Sequence, residues 1–175
     1  FGFTMQEIFL FAIILNITAG LGAFLLGFLD DLIGGKRTIQ ISNIGLIIAA
    51  LIAVLSPNRD LFELSVPFVG QLIITGKTFF WLAGILIGIF SGPNQSASRS
   101  LMARFIPKQK ENEFFGFFAF SGKATAFAGP FLLGYLTLAF GSQRYGIAVV
   151  LAFLVIGALL LRSVDEKAGM AAAET

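Results

Sequence analysis

Five apolar runs, separated by short clusters of charge, Pro and amide side chains, recur along the chain. A helix rising ~1.5 Å per residue needs about 20 apolar residues to cross a hydrocarbon layer about 30 Å thick. The pattern therefore predicts spans at residues 6–29, 38–55, 78–103, 113–139 and 145–161. The third run is longer than a straight crossing requires and holds Gly92 and Pro93, where a missing backbone donor tends to kink a helix. Residues 56–71, SPNRDLFELSVPFVGQ, read as an external loop with an interfacial apolar face. The chain after Arg162 reads as a polar, Ala-rich, loosely ordered tail. The expected fold class is all-α, a polytopic membrane helix bundle over residues 1–162 followed by a tail at 163–175.

Composition agrees with the pattern. Hydrophobic residues make up 57% of the chain and charged residues 13%, far from the balance of water-soluble domains. The absence of Cys and His removes disulfides, thiolate chemistry, most zinc sites and histidine proton relays. With no paired carboxylates at depth, no set of nucleophile, base and orienting group can be assembled. No catalytic residue, metal or cofactor is expected, and the chain is not read as an enzyme. A net charge of +2 is too small to suggest a nucleic-acid partner. The chain begins FGFTMQEIF, without an initiator Met or signal-peptide pattern, and is expected to be a piece whose upstream part is missing.

Charge also sets an orientation. Lys36, Arg37, Arg99, Arg104, Lys108, Lys110, Arg162 and Lys167 fall on one side of the predicted spans, and Arg59, Lys77 and Arg144 on the other. Basic residues favour the cytoplasmic side, so the C-terminus is expected inside and residue 1 outside. One preceding span would complete an even set of six.

One charge falls within a span. Lys123 lies ten residues beyond Glu113, about 15 Å along a helix and near the bilayer midplane. A cation there costs about 2.5–3.5 kcal/mol on insertion scales, and no carboxylate of the chain is predicted at its depth. The functional reading is a central cavity in which Lys123 meets an acid from outside the chain or an anionic group of a solute. The bland reading is a Lys bonded to helix carbonyls or deprotonated by desolvation. Asn16 lies at similar depth, as interhelical glue or as a ligand. Asn94 and Gln95 follow the Gly92 and Pro93 break, where freed carbonyls and amides can line a polar path. Arg99 is either an interfacial anchor or reaches inward, Arg104 reads as an anchor, and Glu7 reads as an exposed helix-end residue unless burial gives it a part in proton coupling. Gly84, Gly88 and Gly92 form a small-residue stripe for close helix approach, and Gly122, Gly129, Pro130 and Gly134 suggest a tightly packed, bendable span around Lys123.

Two stretches carry a family resemblance. GFLDDLIGGKRTI, residues 27–39, resembles the loop signature of the major facilitator superfamily, with Gly27, Leu29, Asp31, Gly34 and Lys36 at matching positions. Leu32 and Gly35 stand where basic residues are usual. Residues 91–130, together with the final RSVDEKAG, resemble the vacuole-effluxer-like branch of that superfamily. The resemblance implies helices eight to twelve of a twelve-helix transporter, with the N-terminal half as a missing partner; helices two to six of the first half have the same topology. It implies a secondary active or facilitative transporter of a small polar solute, with amino acid efflux as the specific case, working by alternating access; the expected location is a bacterial cytoplasmic membrane. Gly27, Asp31, Gly34, Lys36 and Arg37 would form a conformational latch, or else cap helices and set topology. A non-transporting regulatory membrane protein with the same bundle is the alternative.

Overall fold

The computed structural model describes residues 2–56, 62–66, 70–74 and 76–173. Helix α1 covers Met5–Leu26, α2 Phe28–Ile33, α3 Gly35–Leu55, α4 Gly76–Arg104, α5 Glu111–Phe140, α6 Gln143–Arg162 and α7 Glu166–Ala173. Five helical stretches are long and apolar enough to cross a membrane: Met5–Ile33, Gly35–Leu55, Gly76–Arg104, Glu111–Phe140 and Gln143–Arg162. These coincide with the five predicted spans. The chain is an all-α membrane bundle with one added feature. Starting in the expected external loop at 56–71 and running three residues past it, β1 (Phe62–Val66) and β2 (Gly70–Ile74) pair antiparallel, Phe62 opposite Ile74 and Val66 opposite Gly70. The rest of that loop, Arg59 and the expected apolar face lie outside the described residues.

Neighbour relations among the spanning helices run α1, α4, α3, α6, α5, each packing on the next. Helix α3, in the middle, is built inside out. Thr38, Ser42, Asn43, Gly45, Ala49, Ala50 and Ala53 are buried, while Ile41, Ile44, Ile48, Leu51 and Leu55 are exposed. Spaced three and four apart, the large residues form one stripe directed away from the bundle. Hydrocarbon solvates such a stripe as well as a protein core would, so helix contact falls to small residues that allow close approach.

The seam between α1 and α4 follows that rule. A Cβ at Gly84 would meet the Phe11 ring, one at Gly88 would meet Thr18 and the Leu15 carbonyl, and one at Gly92 would meet Ala19 and Ala23. The predicted glycine stripe is thus a packing surface. Helix α4 continues through the buried Pro93. Because Pro93 has no N–H, the carbonyl four residues back, at Ile89, loses its helical donor. The buried Gly22 of α1 sits against that carbonyl, where any Cβ would collide. A carbonyl freed by the proline is therefore covered by a neighbouring helix.

Helix α5 differs from the expectation of tight packing. Gly116, Gly122, Gly129 and Gly134 have no atoms within contact range of an added Cβ. The reason is position: α5 is an end member of the series, held mainly by α6. The tail differs too. Asp165 Oδ1 accepts from the Lys167 and Ala168 amides at 3.0 and 3.1 Å and caps α7. Gly169 of α7 lies against the Phe105 ring at the end of α4. The tail is a docked helix because its own carboxylates fasten it.

Candidate functional site

The end of the bundle where α3 begins and α4 and α6 finish carries a charged network. Gly34, at φ 89° and ψ 156°, turns the chain between α2 and α3 in a region that residues with a Cβ avoid. The turn leaves the first amides of α3 without helical acceptors. Glu166 of α7 supplies them, accepting from the amides of Gly35 at 3.0 Å and Lys36 at 3.3 Å. A Cβ on Gly34 would lie 3.2 Å from the same carboxylate, so the turn has room for glycine alone. Lys36 does the reverse job: its Nζ donates to the carbonyls of Arg162 at 3.0 Å and Val164 at 2.5 Å, closing the C-terminal end of α6. A carboxylate thus meets a helix N-terminus and an ammonium meets a helix C-terminus, both favourable against the helix dipoles.

Arg104 links α4 to this arrangement. Its Nη2 donates to Asp30 Oδ2 at 3.1 Å, and its Nη1 lies 3.9 Å from Glu166 Oε1. Arg104 is therefore a cross-link rather than the simple anchor expected. Asp30 Oδ1 is buried and has no hydrogen-bond partner among the described residues. These groups border a cleft of about 1070 Å³ lined also by Asp31, Arg37, Arg162 and Lys167.

The five latch residues of the resemblance are placed unequally. Gly34 and Lys36 hold the turn and the α6 terminus. Gly27 separates α1 from α2. Arg37 and Asp31 are exposed on the cleft, and it is the neighbouring Asp30 that pairs with Arg104. Asp30 and Glu166 were not singled out by the sequence. Asp165 followed by an Ala-rich run was a legible helix start, but where that helix would dock has no local signal.

The residues expected around a cavity are dispersed. Lys123 is exposed near the middle of α5, and among the described residues it has no hydrogen bond or ion pair. It begins a row at four-residue spacing with Phe127, Phe131 and Tyr135, whose rings stack at 5.7 and 6.4 Å. Asn16 is exposed on α1 and its amide donates to the Ala12 carbonyl of its own helix at 2.8 Å. Asn94 donates to Asn43 Oδ1 at 2.8 Å, tying α4 to α3. Asn43, buried on α3, is the partner the sequence did not reveal. Gln95 and Arg99 are exposed on α4. At the opposite end, Lys77 meets Glu7 at 2.9 Å and Arg144 donates to the Ser56 carbonyl, so that end is fastened as well. Among the described residues no cluster of metal-binding side chains occurs.

The amino-acid sequence matches the model of the family described as "Vacuole effluxer Atg22 like" over residues 1–174. The chain belongs to that family. It is 26% identical over 164 residues to autophagy-related protein 22 of Cryptococcus neoformans, covering 93% of this chain and 28% of that protein. An uncharacterized MFS-type transporter of Bacillus subtilis, YxiO, is 33% identical over 88 residues, or 50% of this chain and 21% of the relative. The Saccharomyces cerevisiae autophagy-related protein 22 is 30% identical over 116 residues, 62% of this chain and 22% of the relative. The chain spans less than a third of the length of these relatives. No solved structure matches it. With five spanning helices and this membership, it is an integral membrane protein.

Proposed function

We propose that the bundle forms most of one half of a secondary transporter that moves a small polar solute between two access states. The observation that carries the reading is Lys123, a cation midway along a 30-residue spanning helix whose side chain no other described residue engages. Holding an ammonium at that depth costs about 2.5–3.5 kcal/mol, a cost best offset by water, an acid on another part of the full protein, or an anionic group on the solute. A solute carboxylate fits, which makes amino acids the first class to test; export of a solute is in keeping with a family of vacuole-effluxer-like proteins. Asn16, Gln95 and Arg99 remain further candidate polar positions, on α1 and α4 rather than beside Lys123, and Asn94 acts through its bond to Asn43.

The charged end is the latch of this transporter and faces the cytoplasm, where the eight basic residues lie. It joins α2, α3, α4, α6 and α7 through Asp30, Arg104, Lys36 and Glu166. Asp30 Oδ1, without a hydrogen-bond partner among the described residues, would gain one from water if this end opened.

The test is transport of labelled amino acids by the full-length protein in vesicles, comparing Lys123→Ala and Lys123→Arg with the parent. Loss of transport in correctly inserted Lys123→Ala, with partial retention in Lys123→Arg, supports the reading. Unchanged transport in Lys123→Ala removes Lys123 from the path, and a correctly inserted parent that moves no amino acid favours the non-transporting alternative.

A further inference from the structure

The charged cleft holds more cations than its own contacts consume. Lys36 and Arg104 are engaged, by the α6 carbonyls and by Asp30 with Glu166. Arg37, Arg162 and Lys167 line the same cleft, are exposed, and have no side-chain partner among the described residues. The lining counts five cations, Lys36, Arg37, Arg104, Arg162 and Lys167, against four acids, Asp30, Asp31, Asp165 and Glu166, a net charge of +1. Three of the acids already bond to Arg104, the α7 amides or the α3 amides, while the side chains of Arg37, Arg162 and Lys167 have no such partner among the described residues.

The two arginines also share a position relative to the hydrocarbon. Arg37 lies four residues before Ile41 and continues the exposed stripe of Ile41, Ile44 and Ile48 on α3. Arg162 lies three residues after Leu159 and continues the exposed row of Val155 and Leu159 on α6. Helices α3 and α6 pack on each other, so two outward apolar stripes each end in a cation and the two cations border one cleft. Basic pockets between membrane helices are suited to negatively charged lipid headgroups.

We propose that this cleft is a binding site for an anionic phospholipid, its phosphate held by Arg37, Arg162 and Lys167 and its acyl chains lying along the α3 and α6 stripes. The site is independent of the transported solute. Because Lys36 follows from the same turn as Arg37 and Glu166 precedes Lys167, an occupied cleft ties the lipid to the residues that close α3 and α6.

Full-length protein in neutral detergent is titrated with phosphatidylglycerol or phosphatidylcholine, and retained lipid is read by native mass spectrometry. Phosphatidylglycerol is expected to be retained in preference, with affinity falling about fivefold for each of Arg37→Ala, Arg162→Ala and Lys167→Ala. Arg37→Lys should restore most of the loss. Lys110→Ala removes the same charge at the same end but outside the cleft, and should leave binding unchanged. An equal loss in Lys110→Ala would reduce the effect to general surface attraction and overturn the site. Competition by glycerol phosphate as effective as by the lipid would assign the cations to a soluble anion instead, and equal retention of phosphatidylcholine would overturn the anionic preference. If Arg37→Ala fails to fold, Lys167→Ala on the exposed face of α7 reads the same site.

Discussion

At the charged end of the bundle, Lys36, Arg104 and Glu166 each bind a group on another helix, whereas Lys123, about 18 Å from the start of α5, binds none within the described chain. The contrast separates two uses of charge. Ions at the membrane edge close helix termini, and the chain's own stability accounts for them. An ammonium at mid-depth with no partner among the described residues is what the proposed path explains by an acid, water or solute from outside them. Substitutions at the two places should therefore report on different properties.

The largest effect is expected at Lys123. Lys123→Ala should lower the transport rate of the full-length protein about tenfold to hundredfold, the loss of a charged hydrogen bond worth about 1.5–3 kcal/mol, while leaving thermal stability unchanged or raised. A stability loss without a transport loss would erase the contrast.

Two glycines come next. Gly34→Ala forces a Cβ into a glycine-only conformation beside Glu166, and Gly22→Ala drives one into the Ile89 carbonyl. Each should destabilise by about 1–3 kcal/mol, seen as a lower unfolding temperature in detergent. Gly122→Ala, with nothing near its Cβ, should be silent in stability and so sharpen the difference between α4 and α5.

Glu166→Ala removes an acceptor from the first amides of α3 and should cost about 1 kcal/mol, by analogy with loss of a helix cap. It should also shift cysteine-labelling patterns toward a state open at this end. Asp30→Asn should do the same through Arg104, and Asp31→Asn should do so less. Equal shifts for the two aspartates would return the latch role to Asp31. Smallest is Asn94→Ala, whose bond to Asn43 is of a kind averaging about 0.6 kcal/mol.

The spans were legible because lipid imposes a length and a composition that the residues 6–29 or 145–161 display on their own. The glycine stripe of α4 was legible for a similar reason, since its spacing of four states a face, although not that α1 would occupy it. The network at the charged end was legible only in part. Gly34 and Lys36 lie in a recognisable loop, but their partners Arg162, Val164 and Glu166 are more than 120 residues away and reach them only through the packing of α6 on α3. Asp30 and Asp31 are adjacent, and which one turns toward Arg104 depends on the direction of the short helix α2. The same limit applies to Asn94, whose position was clear and whose partner Asn43 was not. For Lys123 the depth was readable, and no partner for it stands among the described residues.

The most direct test of the transport path is the side from which Lys123 meets solvent. The sequence contains no Cys, so Lys123→Cys can be introduced into a full-length protein cleared of other thiols and exposed to a membrane-impermeant, charged thiol reagent. Labelling that amino acid solute slows is the predicted result. Reaction only with lipid-soluble reagents, indifferent to solute, would place the side chain among acyl chains and contradict it.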